Sequence, residues 1–290
     1  MGRIVVTGTA GLVGSAIAAA LRRTAEVVGV DIRPGAQVDV LADVACRSDE
    51  LSRAFENVEA VVHTAALHAP HVGSIDEARF WKVNAEGTAR LVDLAVAHGA
   101  SHFVFTSSTS VYGHALVAEG RAAWIDESVT PEPRDIYDVT KRAAEEHVLA
   151  AASGIRATIL RMGRCFSEPS PDMALWRLYR GIDRRDVVDA HLAALRRKGP
   201  RGEVYVISSS SPFLPDDAEA LWNDARGVIE ARAPDFAHAF RRAGYRLPAR
   251  IDRIYATEKA RRGLGFQPRY DGLAVLAGDC DPSPLPSPAS

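Results

Sequence analysis

The sequence predicts an α/β fold: a doubly wound parallel sheet covered by helices on both faces, with a small C-terminal substrate lobe. Three observations predict it. Short β-branched runs alternate with helical patterns as far as residue 161, the order that yields parallel strands joined by crossover helices. A glycine string, Gly8, Gly11 and Gly14, lies between the first run and the first helix. Beyond Arg161 the alternation loosens into scattered helical stretches and one further strand. The expected division is 1–161 for the sheet-bearing core, 162–276 for a small lobe interleaved with the last strands, and 277–290 for a disordered tail.

The elements follow in order from periodicity. Residues 4–6 form the first strand, and 11–23 a helix with Leu12, Ile17, Ala20 and Leu21 on its apolar face. Residues 26–30 form a second strand, 38–40 a weaker third and 60–63 a fourth. A broken helix over 74–98 leads to a fifth strand at 103–106, a helix over 137–152 and a sixth strand at 157–160. Helices are expected over 186–197, 216–231, 235–243 and 257–263, with a strand over 203–207. The end of the chain is rich in proline and serine and has little with which to bury a core.

Composition narrows the classes of function. Apolar residues make up 47% and charged residues 25% of 290, with a net charge of −2, which suits an ordinary globular protein and gives no bulk attraction to nucleic acid or anionic membranes. No run approaches the roughly 18 apolar residues of a membrane span. The chain enters its first strand at once, so no secretory leader is expected. Cys46, Cys165 and Cys280 are odd in number and far apart, which suits a reducing cytoplasm and offers no zinc spacing.

The segment from Thr7 to Gly14 closes the first strand and opens the first helix. Glycine is needed there for a sharp turn, for close approach of backbone to a pyrophosphate, and for packing of helix on strand. The N–H groups that begin the helix, at Leu12 and Val13, then face the phosphates. Asp31 closes the second strand, 17 positions after Gly14. A carboxylate there accepts the adenosine ribose hydroxyls and repels a 2′-phosphate, which favours NAD over NADP. Arg33 lies two residues on and is the group that would serve such a phosphate.

Tyr137 and Lys141 are spaced i and i+4 on one helix, so both side chains share a face. Free tyrosine, with a pKa of about 10, is a poor base at neutral pH. A neighbouring ammonium, together with the positive nicotinamide ring, is expected to lower that value and let Tyr137 take a proton from a substrate hydroxyl. Ser108 ends the fifth strand, where its hydroxyl can bond the substrate oxygen.

These pieces resemble the extended short-chain dehydrogenase/reductase family, in its epimerase/dehydratase branch. The matching residues are the T-G-x-x-G-x-x-G loop, Asp31, Asp43 with Val44, the run from Val62 to Ala66, Asn84 with Gly87 and Thr88, Ser107-Ser108 with Val111-Tyr112-Gly113, and Tyr137 with Lys141. They cover residues 3–161 in order. The resemblance implies a Rossmann-type sheet and an NAD-dependent oxidoreductase. It implies that Asp43 and Val44 meet the adenine, that Ala65 and Ala66 line the cofactor groove, and that Asn84 supports the site from its helix. Ser108, Tyr137 and Lys141 become the catalytic residues, Lys141 also holding the nicotinamide ribose. It further implies a homodimer built on the helices at 74–98 and 137–152.

The substrate reading rests on length. In the family's nucleotide-sugar enzymes a long segment precedes an R-D-x-x-x-V-D stretch, whereas here Asp186 comes 25 positions after Arg161. The usual N-V-Y-G-P motif is replaced by Met162-Gly163-Arg164-Cys165-Phe166. The expected substrate is a non-nucleotide sugar or sugar acid, in likeness to the uronate dehydrogenases. The arginine expected to grip a carboxylate falls near Asp172 and Met173, leaving Arg164, Arg177 or Arg180 to replace it. His68, Ser108, Thr109 and Arg164 are the candidate substrate contacts. Two other readings stand beside this one: an epimerase acting on UDP-hexoses, and a dinucleotide-sensing module without catalysis. His63, His68, His71 and His114 are not expected to hold a metal. Trp124 either caps the substrate or packs, and Arg261 with Arg262 is a solvated helix face rather than a nucleic-acid contact.

Overall fold

The computed structural model describes residues 2–279. In chain order the elements are β1 (Arg3–Thr7), α1 (Leu12–Leu21), β2 (Glu26–Asp31), β3 (Val40–Leu41), α2 (Asp49–Ala54), β4 (Val58–His63), α3 (Glu77–Phe80), α4 (Gly87–Ala97), β5 (His102–Ser108), β6 (Ala123–Ile125), α5 (Ile136–Ala150), β7 (Arg156–Met162), α6 (Ser170–Trp176), α7 (Arg184–Arg196), β8 (Glu203–Ile207), α8 (Ala218–Arg232), α9 (Pro234–Arg242), β9 (Arg253–Tyr255), α10 (Glu258–Leu264) and α11 (Gly272–Leu276). Seven strands form one sheet in the order β3-β2-β1-β4-β5-β7-β8. β1 pairs in parallel with both β2 and β4, so the winding reverses at β1 and leaves a crevice at the carboxyl ends of β1 and β4. This is the Rossmann-type α/β fold that the alternation predicts.

The chain divides into two compact units that are interleaved in sequence. Among the described residues, one comprises 2–111, 133–161 and 188–205, and the other 112–132, 162–187 and 206–279. The first has its core in Val5, Val28, Val61, Phe103 and Ile159 of the strands, which are buried on both faces of the sheet, with Leu91 of α4 packed against them. The second packs around Leu178, Leu221, Ile229, Phe236, Phe240 and Ile254. Its segment 112–132 precedes Arg161 in sequence but joins this unit because β6 pairs in parallel with β9.

Local chemistry explains where elements stop. Ser48, Asp76, Asp135 and Asp271 each accept a hydrogen bond from a first-turn N–H of α2, α3, α5 and α11. The third strand lies at 40–41 rather than 38–40, since the Asp39 carboxylate takes the Gly29 N–H at 2.7 Å and binds Arg22. The long helix expected over 74–98 starts at Glu77, and its break is a π-helical turn, Trp81–Glu86, between α3 and α4. The tail expected over 277–290 lies, from residue 280 onward, outside the described residues. No helix among the described residues is long and apolar enough to cross a membrane.

Candidate active site

The glycine loop is a cradle that no side chain can enter. Gly8 turns with φ of 79°, a region L side chains avoid. A Cβ on Gly14 would lie 2.2 Å from the Gly8 carbonyl oxygen, and one on Gly11 3.1 Å from the same atom. Gly11 caps α1 without a side-chain hydrogen bond, and the first turn of α1 holds no acidic residue. The leading N–H groups of α1, Leu12 and Val13 among them, therefore remain for an anion. At the end of β2, Asp31 accepts the Ala10 N–H at 2.9 Å on one oxygen and the Arg33 N–H at 3.0 Å on the other. Each oxygen keeps a lone pair for a ribose hydroxyl. These residues fit a dinucleotide. We expect Gly14→Ala to weaken NAD binding at least about tenfold, because forcing a methyl into packed backbone costs about 1–3 kcal/mol and displaces α1; fluorescence titration of NAD checks it.

Asp43 and Val44 are held in place from the helices. Burial works against charge on Asp43. Hydrogen bonds from Arg79 at 2.7 Å and from the Ala45 N–H at 2.8 Å, with Arg79 and Arg90 charges, outweigh it and keep the carboxyl below its ordinary range. The buried Val44 gives its carbonyl to Arg90 at 2.7 Å. Ala65 and Ala66 follow β4 and are half-buried, with the Ala65 N–H 3.4 Å from the Thr7 hydroxyl. Buried His63 bridges Thr7 at 2.7 Å and Thr88 at 2.9 Å. Burial, then the Lys141 charge, lowers its pKa to about 3, so this ring is a neutral strut between β1 and α4.

Asn84 sits in the π-helical turn, wholly buried. Its amide accepts the Leu67 N–H at 2.8 Å and donates to the Leu67 carbonyl at 3.0 Å and the Thr140 hydroxyl at 3.3 Å. It thereby ties the loop after β4 to α5, the helix that carries Tyr137. A π turn brings an extra residue to the inner face, a device common at functional sites.

Ser108 and Tyr137 share a hydrogen bond, and Lys141 lies one turn further along α5. Lys141 Nζ donates to the Thr106 carbonyl at 2.7 Å and stands 4.3 Å from the centre of the Phe105 ring. Burial brings the Lys141 pKa down to about 7, with Glu145 opposing. Burial also pushes Tyr137 up to about 12; the Ser108 bond works the other way, and Asp138 and Asp135 add to the rise. Lys141 by itself does not produce the lowering expected of lysine and the nicotinamide ring together. The physical reason is that both groups are buried and Lys141 is bound to a backbone carbonyl. Any lowering must come from a cation brought beside the phenol, as the oxidised nicotinamide ring would be.

The structure brings Ser108, Thr109, Tyr137, Lys141 and Asn84 together in the first unit, with Thr109 buried beside Ser108. His68 lies in the same unit, exposed on the loop after β4. Arg164 belongs to the second unit and is bound through Nε to both Glu168 oxygens at 3.0 Å. Arg177 is paired with Asp183 at 2.9 Å. Arg180 meets no carboxylate among the described residues and stacks on Trp176 at 4.7 Å. The sequence reading missed Glu145 and Arg161, which support the site from below. The signal was present: Glu145 is i+4 from Lys141, on the same helix face.

Fold and motifs together define the class, a nicotinamide-dependent oxidoreductase with a Rossmann-type sheet. The chain belongs to the NAD-dependent epimerase/dehydratase family, which it matches over residues 4–184. It is 30% identical to a UDP-glucose 4-epimerase of Corynebacterium glutamicum over 325 positions, covering 96% of this chain and 94% of that one. It is 34% identical to a 3 beta-hydroxysteroid dehydrogenase/Delta 5-->4-isomerase of Mycobacterium tuberculosis over 348 positions, covering 97% and 90%. It is 27% identical to an L-arabinose 1-dehydrogenase (NAD(P)(+)) of Haloferax volcanii over 289 positions, covering 95% and 100%.

Proposed function

We propose that this enzyme oxidises a hydroxyl of a non-nucleotide sugar or sugar acid, with Ser108, Tyr137 and Lys141 as its catalytic residues. NAD, when bound, supplies the acceptor for the hydride that leaves the hydroxyl carbon. Tyr137 Oη, once it has given up its own proton, receives the hydroxyl proton. Ser108 Oγ holds the substrate oxygen and stabilises the charge that develops there. Lys141, fixed by the Thr106 carbonyl, holds the ribose. Asp31 and the Gly8-Gly11-Gly14 cradle hold the adenosine end, with Asp31 favouring NAD over NADP.

The observation that carries the substrate reading is the short connection from β7 to α7. It comprises 21 residues, 163–183, and holds one short helix, α6. The match to the arabinose dehydrogenase needs no more positions than this chain has residues, whereas those to the epimerase and the hydroxysteroid dehydrogenase stretch to 325 and 348. We read this difference in length as supporting a small substrate, since a short connection has less chain with which to enclose a second large group.

The test is NADH formation across a panel of free aldoses, uronates, UDP-hexoses and a 3β-hydroxysteroid. A free aldose or uronate should give sustained NADH growth with kcat/KM at least about a hundredfold above the UDP-hexoses, the scale of about 2.7 kcal/mol of differential transition-state binding. Interconversion of UDP-hexoses without net NADH, or turnover of the steroid alone, would reject the short-connection argument. NAD binding with no turnover of any sugar would indicate the sensing module instead.

A further inference from the structure

β5 ends at Ser108, and the chain turns at once through Thr109–Tyr112. The Ser110 N–H donates to Ser108 Oγ at 3.0 Å. The Ser110 hydroxyl donates to Asp138 Oδ1. Asp138 follows Tyr137 directly in α5, and Tyr137 is hydrogen-bonded to Ser108. Four residues thus close a ring: Ser108, Ser110, Asp138 and Tyr137. The other Asp138 oxygen accepts from the Arg134 N–H at 3.2 Å and from Arg134 Nε at 3.3 Å.

A buried carboxylate in this place calls for a reason, since removing a charge from water is costly. Holding the start of α5 accounts for only one of its oxygens, the one bound to Arg134. Asp135 already caps α5, accepting the Asp138 N–H at 3.0 Å. Packing is not the reason, since an apolar side chain would serve it better. What the carboxylate does is fix Ser110, and Ser110 in turn fixes the direction of the Ser108 hydroxyl. With its oxygen accepting from Ser110, the Ser108 proton is left to point away, towards Tyr137 or the oxygen of a substrate.

We propose that Asp138 and Ser110 are positioning residues that aim the Ser108 hydroxyl at the reacting oxygen, an inference that rests on Ser108, Tyr137 and Lys141 being the catalytic residues. Neither touches the reacting atoms. Asp138 has a second, electrostatic effect: its negative charge stands beside the phenol and works against phenolate. The groups facing Tyr137 are Ser108 from β5, and Asp135, Asp138 and Lys141 along its own helix. Those facing Asp138 are Ser110, Arg134 and Asp135. Lys141 also faces Glu145 on α5, His63 on β4 and His68 on the loop after it.

The experiment measures kcat, KM and pH profiles of four variants with the best sugar substrate, together with NAD affinity. Ser110→Ala should lower kcat about tenfold, the scale of one misaimed hydrogen-bond donor, with KM and NAD affinity changed by less than about twofold. Ser110→Thr keeps the hydroxyl and should restore kcat. Asp138→Asn keeps a bridge to Ser110 but removes the charge, so the phenol ionises more readily and the acid limb of kcat moves to lower pH. Wild-type kcat in Ser110→Ala overturns the proposal. So does an Asp138→Asn enzyme that loses kcat and melting temperature together with its acid limb unmoved. If Asp138→Asn does not fold, the Ser110→Ala and Ser110→Thr pair decides alone. Tyr137→Phe separates the two levels: if it retains turnover, the catalytic assignment fails and the ring has nothing to aim. If it is inactive while Ser110→Ala is normal, this inference alone fails.

Discussion

Tyr137→Phe should lower kcat by about two to four orders of magnitude, the range that a positioned proton acceptor supplies, while leaving the Kd for NAD within about twofold. The substitution is well matched to its purpose. The Tyr137 ring is buried, and phenylalanine keeps that ring and its packing. Only the hydroxyl goes, and with it the bond to Ser108. The lost group is not an anion in the protein alone, since burial holds its pKa at about 12. Oxidation of an alcohol must therefore lower that value during the catalytic cycle. Steady-state NADH formation and an independent NAD titration check the two halves of the prediction. A variant that keeps turnover removes Tyr137 from the chemistry, and one that loses NAD affinity as well makes it a cofactor-binding residue first.

The parts of this protein that were legible in its sequence are those governed by short-range rules. The glycine loop, Asp31 at the end of β2 and the Tyr137-Lys141 pair each depend on residues a few positions apart, on a strand or helix that periodicity identifies. The order of motifs then placed Ser108 at the end of β5, where it lies. What could not be read depended on distant contacts. β6 and β9 are three residues each with 127 residues between them, too short to show a period and stable only because they pair. The break in the long helix was visible as a break, but its π geometry depends on Asn84 reaching Leu67 and Thr140. Spacing showed that Lys141 is one turn from Tyr137, but the opposing effect of burial on the phenol could not be read, because spacing says nothing of how dry the site is. Arg164 was a candidate for binding a carboxylate, and it does bind one, in Glu168 of its own unit.

Glu145→Ala should destabilise the fold by about 3–5 kcal/mol, because it breaks a buried ion pair from one side. Glu145 has no exposed side-chain surface and Arg161 has 5%. The carboxylate accepts from Arg161 Nε at 2.9 Å, Arg161 Nη2 at 2.7 Å, the Ser107 hydroxyl at 2.7 Å and Arg142 Nη1 at 3.2 Å. Removing it leaves Arg161 without its carboxylate at the end of β7 and the Ser107 hydroxyl without its acceptor. Urea unfolding should show the loss as a lower midpoint with an unchanged slope. The double variant Glu145→Leu with Arg161→Met removes both charges together, and apolar groups of similar volume can replace a buried ion pair at little cost. It should therefore recover most of the stability that Glu145→Ala loses. Its catalysis should not recover to the same extent. Lys141 is one turn from Glu145, and that carboxylate is what opposes the effect of burial on the ammonium. A double variant as stable as the parent but active only at lower pH would show that Glu145 serves the fold through Arg161 and the chemistry through Lys141.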